Sequence, residues 1–199
     1  MIVLLLSCSE YVVGEQEVLP EAEPAGGHDP LGEAPDWDDC AHGYAGTYYN
    51  LPMEHPDVEP EEDLPPQLPQ MADWWDEEYL AYRRNDGSLD FGEGWWPVDQ
   101  GFEGDPGYFS AYWASWIRII EDTDVEAVIG ASDDFWVHID GEPVYSEPGL
   151  HGFSAQVVAI PLTAGQYPIE LHYAHRSGEN GLRFRVASEK ATICYPSWE

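Results

Sequence analysis

The sequence predicts an all-β protein, an antiparallel β-sandwich with long loops and one short helix. Three observations lead there. Runs rich in Val, Ile, Tyr, Phe and Trp alternate apolar and polar residues with the period of a strand. Turn signals of Gly, Asp, Asn and Ser separate them at intervals of roughly ten residues, as in sandwiches. The part of the chain that carries them is long enough for one core and too short for two.

The chain opens on an apolar run, 2–6, followed by Ser7 and Cys8. Leu5-Leu6-Ser7-Cys8 resembles the lipobox of bacterial lipoproteins, in which cleavage leaves the cysteine as the lipidated first residue, so Cys8 is the expected lipidation site. Seven residues without a positive charge are short for a secretory signal, and a start further upstream is expected. The alternative is an ordinary buried N-terminal strand. Residues 9–39 are dominated by Glu, Pro, Gly and Asp, bury too little to order themselves, and read as a solvated tether. Residues 40–199 form the expected domain.

Within it, 43–50 is a first strand and 55–69 a Pro-rich acidic loop. Over 71–84, Trp75, Tyr79 and Tyr82 recur at helical spacing beside Trp74 and Glu78, which predicts the short helix, stopped by Asn85-Asp86-Gly87. Residues 94–99 make an aromatic loop or short strand and 104–107 a turn. Strands follow at 108–120, 125–131, 135–139, 154–161, 167–174 and 181–187, with turns at 121–124, 164–165 and 177–180. In the last strand Leu182, Phe184 and Val186 should point inward and Arg183 and Arg185 outward.

The stretch 131–141, Ala-Ser-Asp-Asp-Phe-Trp-Val-His-Ile-Asp-Gly, concentrates the chemistry. Two adjacent acids lead into a strand with Phe135, Val137 and Ile139 on one face and Trp136, His138 and Asp140 on the other. Asp140-Gly141 ends it with a hairpin signal.

Thirty-nine acidic residues against seven basic ones give a formal net charge of −32. That field repels nucleic acid and anionic head groups, so neither is an expected partner, and any membrane contact is expected only through a lipid at Cys8. It also attracts divalent cations without itself making a site. Cys40 and Cys194 bracket the domain. In an exported chain they are expected to form a disulfide, and in a cytoplasmic one they would be free thiols; Cys8 favours export.

Taken together, several motifs resemble the fibro-slime domain, within the lectin-like sandwiches named after the fourteen-kilodalton domain of anthrax protective antigen. They are His55-Pro56-Asp57, Trp95-Trp96-Pro97-Val98-Asp99, the run from Asp133 to Val144, Gly149-Leu150-His151-Gly152, 162–167 and Ala174-His175-Arg176. The resemblance covers about 43–188 and implies an exported surface or matrix protein. Its wider clan includes yeast adhesins that bind sugar through calcium, and there the two equivalent acids are joined by a cis peptide.

Calcium takes about six to eight oxygen ligands, and carboxylates supply charge. Neighbouring residues of a regular strand face opposite ways, so Asp133 and Asp134 reach one ion only if the backbone between them is distorted. The resemblance therefore implies a calcium site at Asp133 and Asp134, completed by the 175–180 loop with His175 and Asn180, and a distorted, cis peptide. Phe135 stands where the wider clan often has Gly, and His175 where fungal adhesins place an asparagine. The alternative is a pair of solvated loop acids. Trp136, His151, Arg176 and the pair Trp95 and Trp96 are the candidate sugar-contacting residues, with Trp74-Trp75 a second candidate platform; the alternative for both tryptophan pairs, in a domain this aromatic, is core or loop packing. His151 has the simpler reading of a residue that hydrogen-bonds a turn, and His138 that of a solvent-facing histidine.

The expected function is a surface-anchored, calcium-dependent carbohydrate-binding or adhesin module that recognises an extracellular polysaccharide or glycan. The competing reading is a structural module of a matrix, sheath or filament that self-associates or meets other surface proteins. A glycoside hydrolase needs two carboxylates facing across a cleft, and no motif selects such a pair. The chain also has no phosphate loop, nucleophile triad or zinc spacing, so no enzyme is expected.

Overall fold

The computed structural model describes residues 32–50, 74–93, 109–176 and 178–195. Among these residues eleven strands run in chain order: β1 Tyr44–Asn50, β2 Leu80–Asp86, β3 Leu89–Glu93, β4 Phe109–Ile119, β5 Thr123–Ala131, β6 Asp134–Ile139, β7 Glu142–Glu147, β8 Ser154–Leu162, β9 Gly165–His175, β10 Gly181–Val186 and β11 Ala191–Cys194. They pair antiparallel into two sheets, one ordered β2-β1-β4-β9-β6-β7 and the other β3-β10-β5-β8. The expected antiparallel sandwich is the observed fold.

The alternation read from the sequence decides which side chains meet between the sheets. Phe109, Trp113 and Ile117 of β4, Val125, Ala127 and Ile129 of β5, Phe135 and Val137 of β6, Leu171 and Tyr173 of β9, and Leu182 and Phe184 of β10 share one buried cluster. The β6–β7 hairpin turns at Asp140 and Gly141, both at positive φ (55° and 78°), the backbone for which Asp-Gly is favoured.

Three expectations change. The helix over 71–84 is instead a single 3-10 turn, Glu77–Tyr79, capped by Asp76, running straight into β2. Residues 80–86 lie along the open edge of β1, where pairing supplies a ladder of backbone bonds, and Tyr82 stacks on Tyr48 (centroids 4.7 Å). Tertiary pairing outweighs the apolar spacing. The strands β3, β7 and β11 were not expected. Trp136 does not face solvent, for reasons given below. Asp86 is a buried carboxylate that accepts from Tyr48 Oη (2.5 Å), Trp113 Nε1 (2.9 Å) and Arg84 Nε (2.7 Å).

β11 and β1 lie end to end along the same edge of β4: Cys194 pairs with Trp116 and Ala45 with Ala114. The Cys40–Cys194 disulfide joins them, with Cα atoms 5.8 Å apart, as expected from the bracketing cysteines. Tyr195 N donates to Ala41 O (3.0 Å), and the Ser115 hydroxyl reaches Gly43 O (2.7 Å) and Cys194 O (2.9 Å). Residues 1–31, with Cys8 and most of the expected tether, lie outside the described residues.

The disulfide closes a loop between residues 154 positions apart. On the chain-entropy model this stabilises the fold by about 5 kcal/mol. A Cys40→Ala, Cys194→Ala double variant should lose stability of that order in urea unfolding. An unchanged unfolding midpoint would show that the hydrogen bonds around Ser115 hold the two ends without the covalent link.

Candidate functional site

Three crossovers between the sheets meet at one end of the sandwich: 132–133 after β5, 148–153 after β7, and 176–180 after β9. The chain leaves the described residues at the same end after Asn50 and Glu93, and returns there at Phe109. Asp133 and Asp134 sit where the three crossovers join.

The distortion required of this pair is present, but it is not a cis peptide, because the described residues contain none. Asp133 instead adopts φ 62°, a left-handed conformation that aspartate tolerates better than most residues. That one turn of the chain sends the two carboxylates to different sides of the large sheet. Asp134 shares the outer face with Trp136 and His138, in register with Ala174, while Asp133 turns toward His175 at the end of the core.

Both carboxylates are essentially inaccessible, Asp133 1% and Asp134 0% exposed. An uncompensated buried charge is costly, so their partners define the site. Arg176 Nε donates to Asp134 Oδ2 (2.7 Å) and its Nη2 to Oδ1 (3.2 Å), a two-pronged pair. Gly149 N donates to Asp134 Oδ1 (2.6 Å). Asp133 Oδ2 accepts from Arg176 N (2.8 Å) and lies 2.9 Å from His175 Nδ1, an ion-pair distance without hydrogen-bond alignment. Asp133 Oδ1 accepts from His151 N (3.3 Å), and Asp133 N donates back to His151 O (3.1 Å). The pair thus fastens the 148–153 loop to the end of β9. The loop also needs Gly181: a Cβ there would lie 2.6 Å from the Phe153 ring.

Burial pushes the Asp134 carboxyl above the ordinary carboxylate range, with the neighbouring Asp133 charge adding to it, while Arg176 and the Gly149 amide pull it back.

The outer face beside Asp134 is covered, not open. Trp74, Trp75, Trp136, Tyr49 and Tyr112 form a second buried cluster. Trp75 Nε1 donates to Ala111 O (3.1 Å), and its ring meets Trp136 (6.4 Å) and His172 (5.0 Å) edge-on. Trp74 carries the Arg176 guanidinium over its ring, Cζ 5.2 Å from the centroid. Trp136 and the Trp74-Trp75 pair are therefore packing residues, because 74–75 lie across the face that a free sheet would show to solvent. His138 is half-buried against His172 (5.6 Å), and its burial holds the imidazole below the usual pKa. His151 serves the site through its main chain, while its ring reaches Gly152 O (3.2 Å). Trp95 and Trp96 lie outside the described residues.

The groups around the acid pair do not suit calcium. Hydrogen donors already face every oxygen of the two carboxylates, a guanidinium holds the cation position at Asp134, and His175 would offer nitrogen where calcium prefers oxygen. Asn180 is buried, and its Oδ1 has no hydrogen-bond partner among the described residues. That is one free oxygen against the six or so that calcium takes. Among the described residues no group of three His, Cys, Asp or Glu is placed to hold a metal. As arranged, the site fits a guanidinium and not a calcium ion.

The fold is that of the PA14-type sandwich. No family model and no curated sequence matches the chain. Among solved structures it is similar to the PA14 domain of the MpAFP antifreeze protein (TM-score 0.56, 14% identity, 79% of this chain and 86% of that one). It is similar as well to a PA14 sugar-binding domain from an RTX adhesin (TM-score 0.54, 15% identity, 76% and 94%). A third is the epithelial adhesin 9 A domain of Candida glabrata in complex with Galb1-3GlcNAc (TM-score 0.55, 12% identity, 81% and 92%).

The raised Asp134 pKa gives a pH signature. A carboxyl held above its unfolded value contributes stability that is present below the unfolded pKa, near 3.8, and lost as pH rises through the folded one. Wild-type stability measured against an Asp134→Asn variant should therefore decline as pH rises from about 4 across that window. A difference that stays flat in urea titrations over the same range would contradict the assignment.

Proposed function

We propose that this chain is an exported, non-enzymatic carbohydrate-binding module of the adhesin type, with its sugar surface at the end of the sandwich organised by Asp133 and Asp134. The observation that carries this reading is the buried acid pair at the junction of three crossover loops. Nothing in the core needs two ionised carboxylates there, and buried charge is retained mainly where it organises something. Two of the similar structures are described as sugar-binding or sugar-complexed, which supports the same reading. The disulfide supports an oxidising, extracellular setting. A lipid anchor at Cys8 and the narrower fibro-slime relationship belong to this proposal too.

The carboxylates are too buried to touch a sugar, so their role is to hold the surface around them. The exposed groups of that surface are the 147–153 segment, with half-buried Glu147 and His151 (3.9 Å apart) and Leu150, and the exposed Glu179 of the opposite loop. Together they offer a carboxylate acceptor, an imidazole and an apolar patch, the mixture a polyhydroxylated ring needs.

A second reading, assembly into a matrix or sheath, is favoured by β8, the edge strand of the smaller sheet among the described residues, whose Val157 is 66% exposed. The two are separated by one pair of measurements. On a glycan array the wild type should bind a defined sugar class, and Asp133→Asn with Asp134→Asn should lose it while keeping the native far-UV spectrum. If the array stays blank and light scattering shows mass growing with protein concentration, the sugar reading fails and assembly takes its place.

A further inference from the structure

The cation at the acid pair is supplied by the chain itself. We propose that Arg176 is the resident counter-ion of Asp133 and Asp134, in the position a divalent metal would otherwise fill, and that the site works without calcium. The proposal concerns the site named above but does not rest on the sugar reading, because its readouts are metal response and stability.

Arg176 binds both acids at once. Its main-chain amide donates to Asp133 Oδ2 (2.8 Å) and its side chain forks onto Asp134 (2.7 and 3.2 Å). The planar fork matches a carboxylate in a way that a spherical ion or a lysine does not. Trp74, fully buried, covers the guanidinium, and the Arg176 side chain is itself only 9% exposed. A calcium ion would have to draw Arg176 out from beneath that ring and displace the Gly149 and His151 amides, which tie the 148–153 loop in place.

The same chemistry recurs elsewhere in the chain. Asp86, also buried, is met by Arg84 Nε at 2.7 Å with no metal-type cluster beside it among the described residues. A further consideration is the net charge of −32, which concentrates divalent cations around the whole surface whatever their identity. An internal guanidinium makes the geometry of the loop end independent of that ionic atmosphere.

The test separates specific calcium from general screening. Thermal unfolding of the full chain is followed in calcium, in magnesium at the same ionic strength, and in chelator, for the wild type, Asp134→Asn, Arg176→Gln and Arg176→Lys. Both metals should raise the wild-type midpoint equally by screening, with no calcium-specific part that depends on Asp134. Arg176→Gln should unfold at lower temperature, and calcium should restore it more than magnesium does, because the vacated pair then has oxygens to offer. Arg176→Lys should fall between the two, keeping the charge but losing the fork. The proposal is overturned by a calcium-specific rise in the wild type that vanishes in Asp134→Asn, or by an Arg176→Gln midpoint equal to the wild type in chelator. The wild-type comparison stands even if Arg176→Gln fails to fold.

Discussion

The loop end of this sandwich depends on one constraint: two adjacent carboxylates are buried together and must be neutralised from within. Water does not reach them, and an uncompensated buried charge is not tolerated. The partners that satisfy them come from two separate segments, Gly149 and His151 from the 148–153 crossover and His175 and Arg176 from the end of β9 and the residue after it. Satisfying the charge and fixing the loops are therefore the same event. Breaking a buried ion pair by removing one partner costs about 3 to 5 kcal/mol, so the loops are held by far more than their short lengths would provide.

The rest of the molecule is arranged to keep that geometry rigid. β9 and β4 pair along their full lengths, and β9 delivers His175 and Arg176 to the site at its end. The outer face carries a second aromatic cluster where such sandwiches often meet solvent. Trp74 links the two, packing with Trp75 on one side and lying under the Arg176 guanidinium on the other. Further along β4, beside Ala114 and Trp116, the disulfide holds β1 and β11 along one edge. The disulfide-linked residues Cys40 and Cys194 thus lie away from the loop end.

Much of this was legible in the residues. Period-two alternation is a direct consequence of the pleat, so β4, β5, β6, β8, β9 and β10 could be read as strands, and β6 and β10 with their faces. The strands that escaped were those whose pairing, not their own pattern, makes them strands. β7 carries Pro143 and runs on a sheet edge, β3 contains Gly92, and β11 has four residues. β2 looked helical because Trp75, Tyr79 and Tyr82 happen to fall at helical intervals. Alternation also cannot say what covers the second face of a strand, which is why the sequence offers Trp136 as a sugar contact and leaves Trp74-Trp75 between a sugar platform and core packing, where the fold puts all three in packing. At the site, the acid pair, the need for a distorted backbone between them and the loop that closes on them were all readable. The identity of the cation was not. Arg176 was in view as a sugar contact, but only the fold shows its guanidinium turned inward onto Asp134.

The arrangement gives the proposed sugar-binding surface a particular character. Its centre is a covered ion-pair cluster, and its contacts with a ligand belong to the loop side chains that the cluster positions. The most direct measurement is a high-resolution crystal structure grown in calcium, read at Asp133 and Asp134. The guanidinium of Arg176 should remain forked on Asp134 beneath Trp74, with no ion between the carboxylates. An ion about 2.3 to 2.6 Å from both carboxylates, with Arg176 displaced, would contradict it.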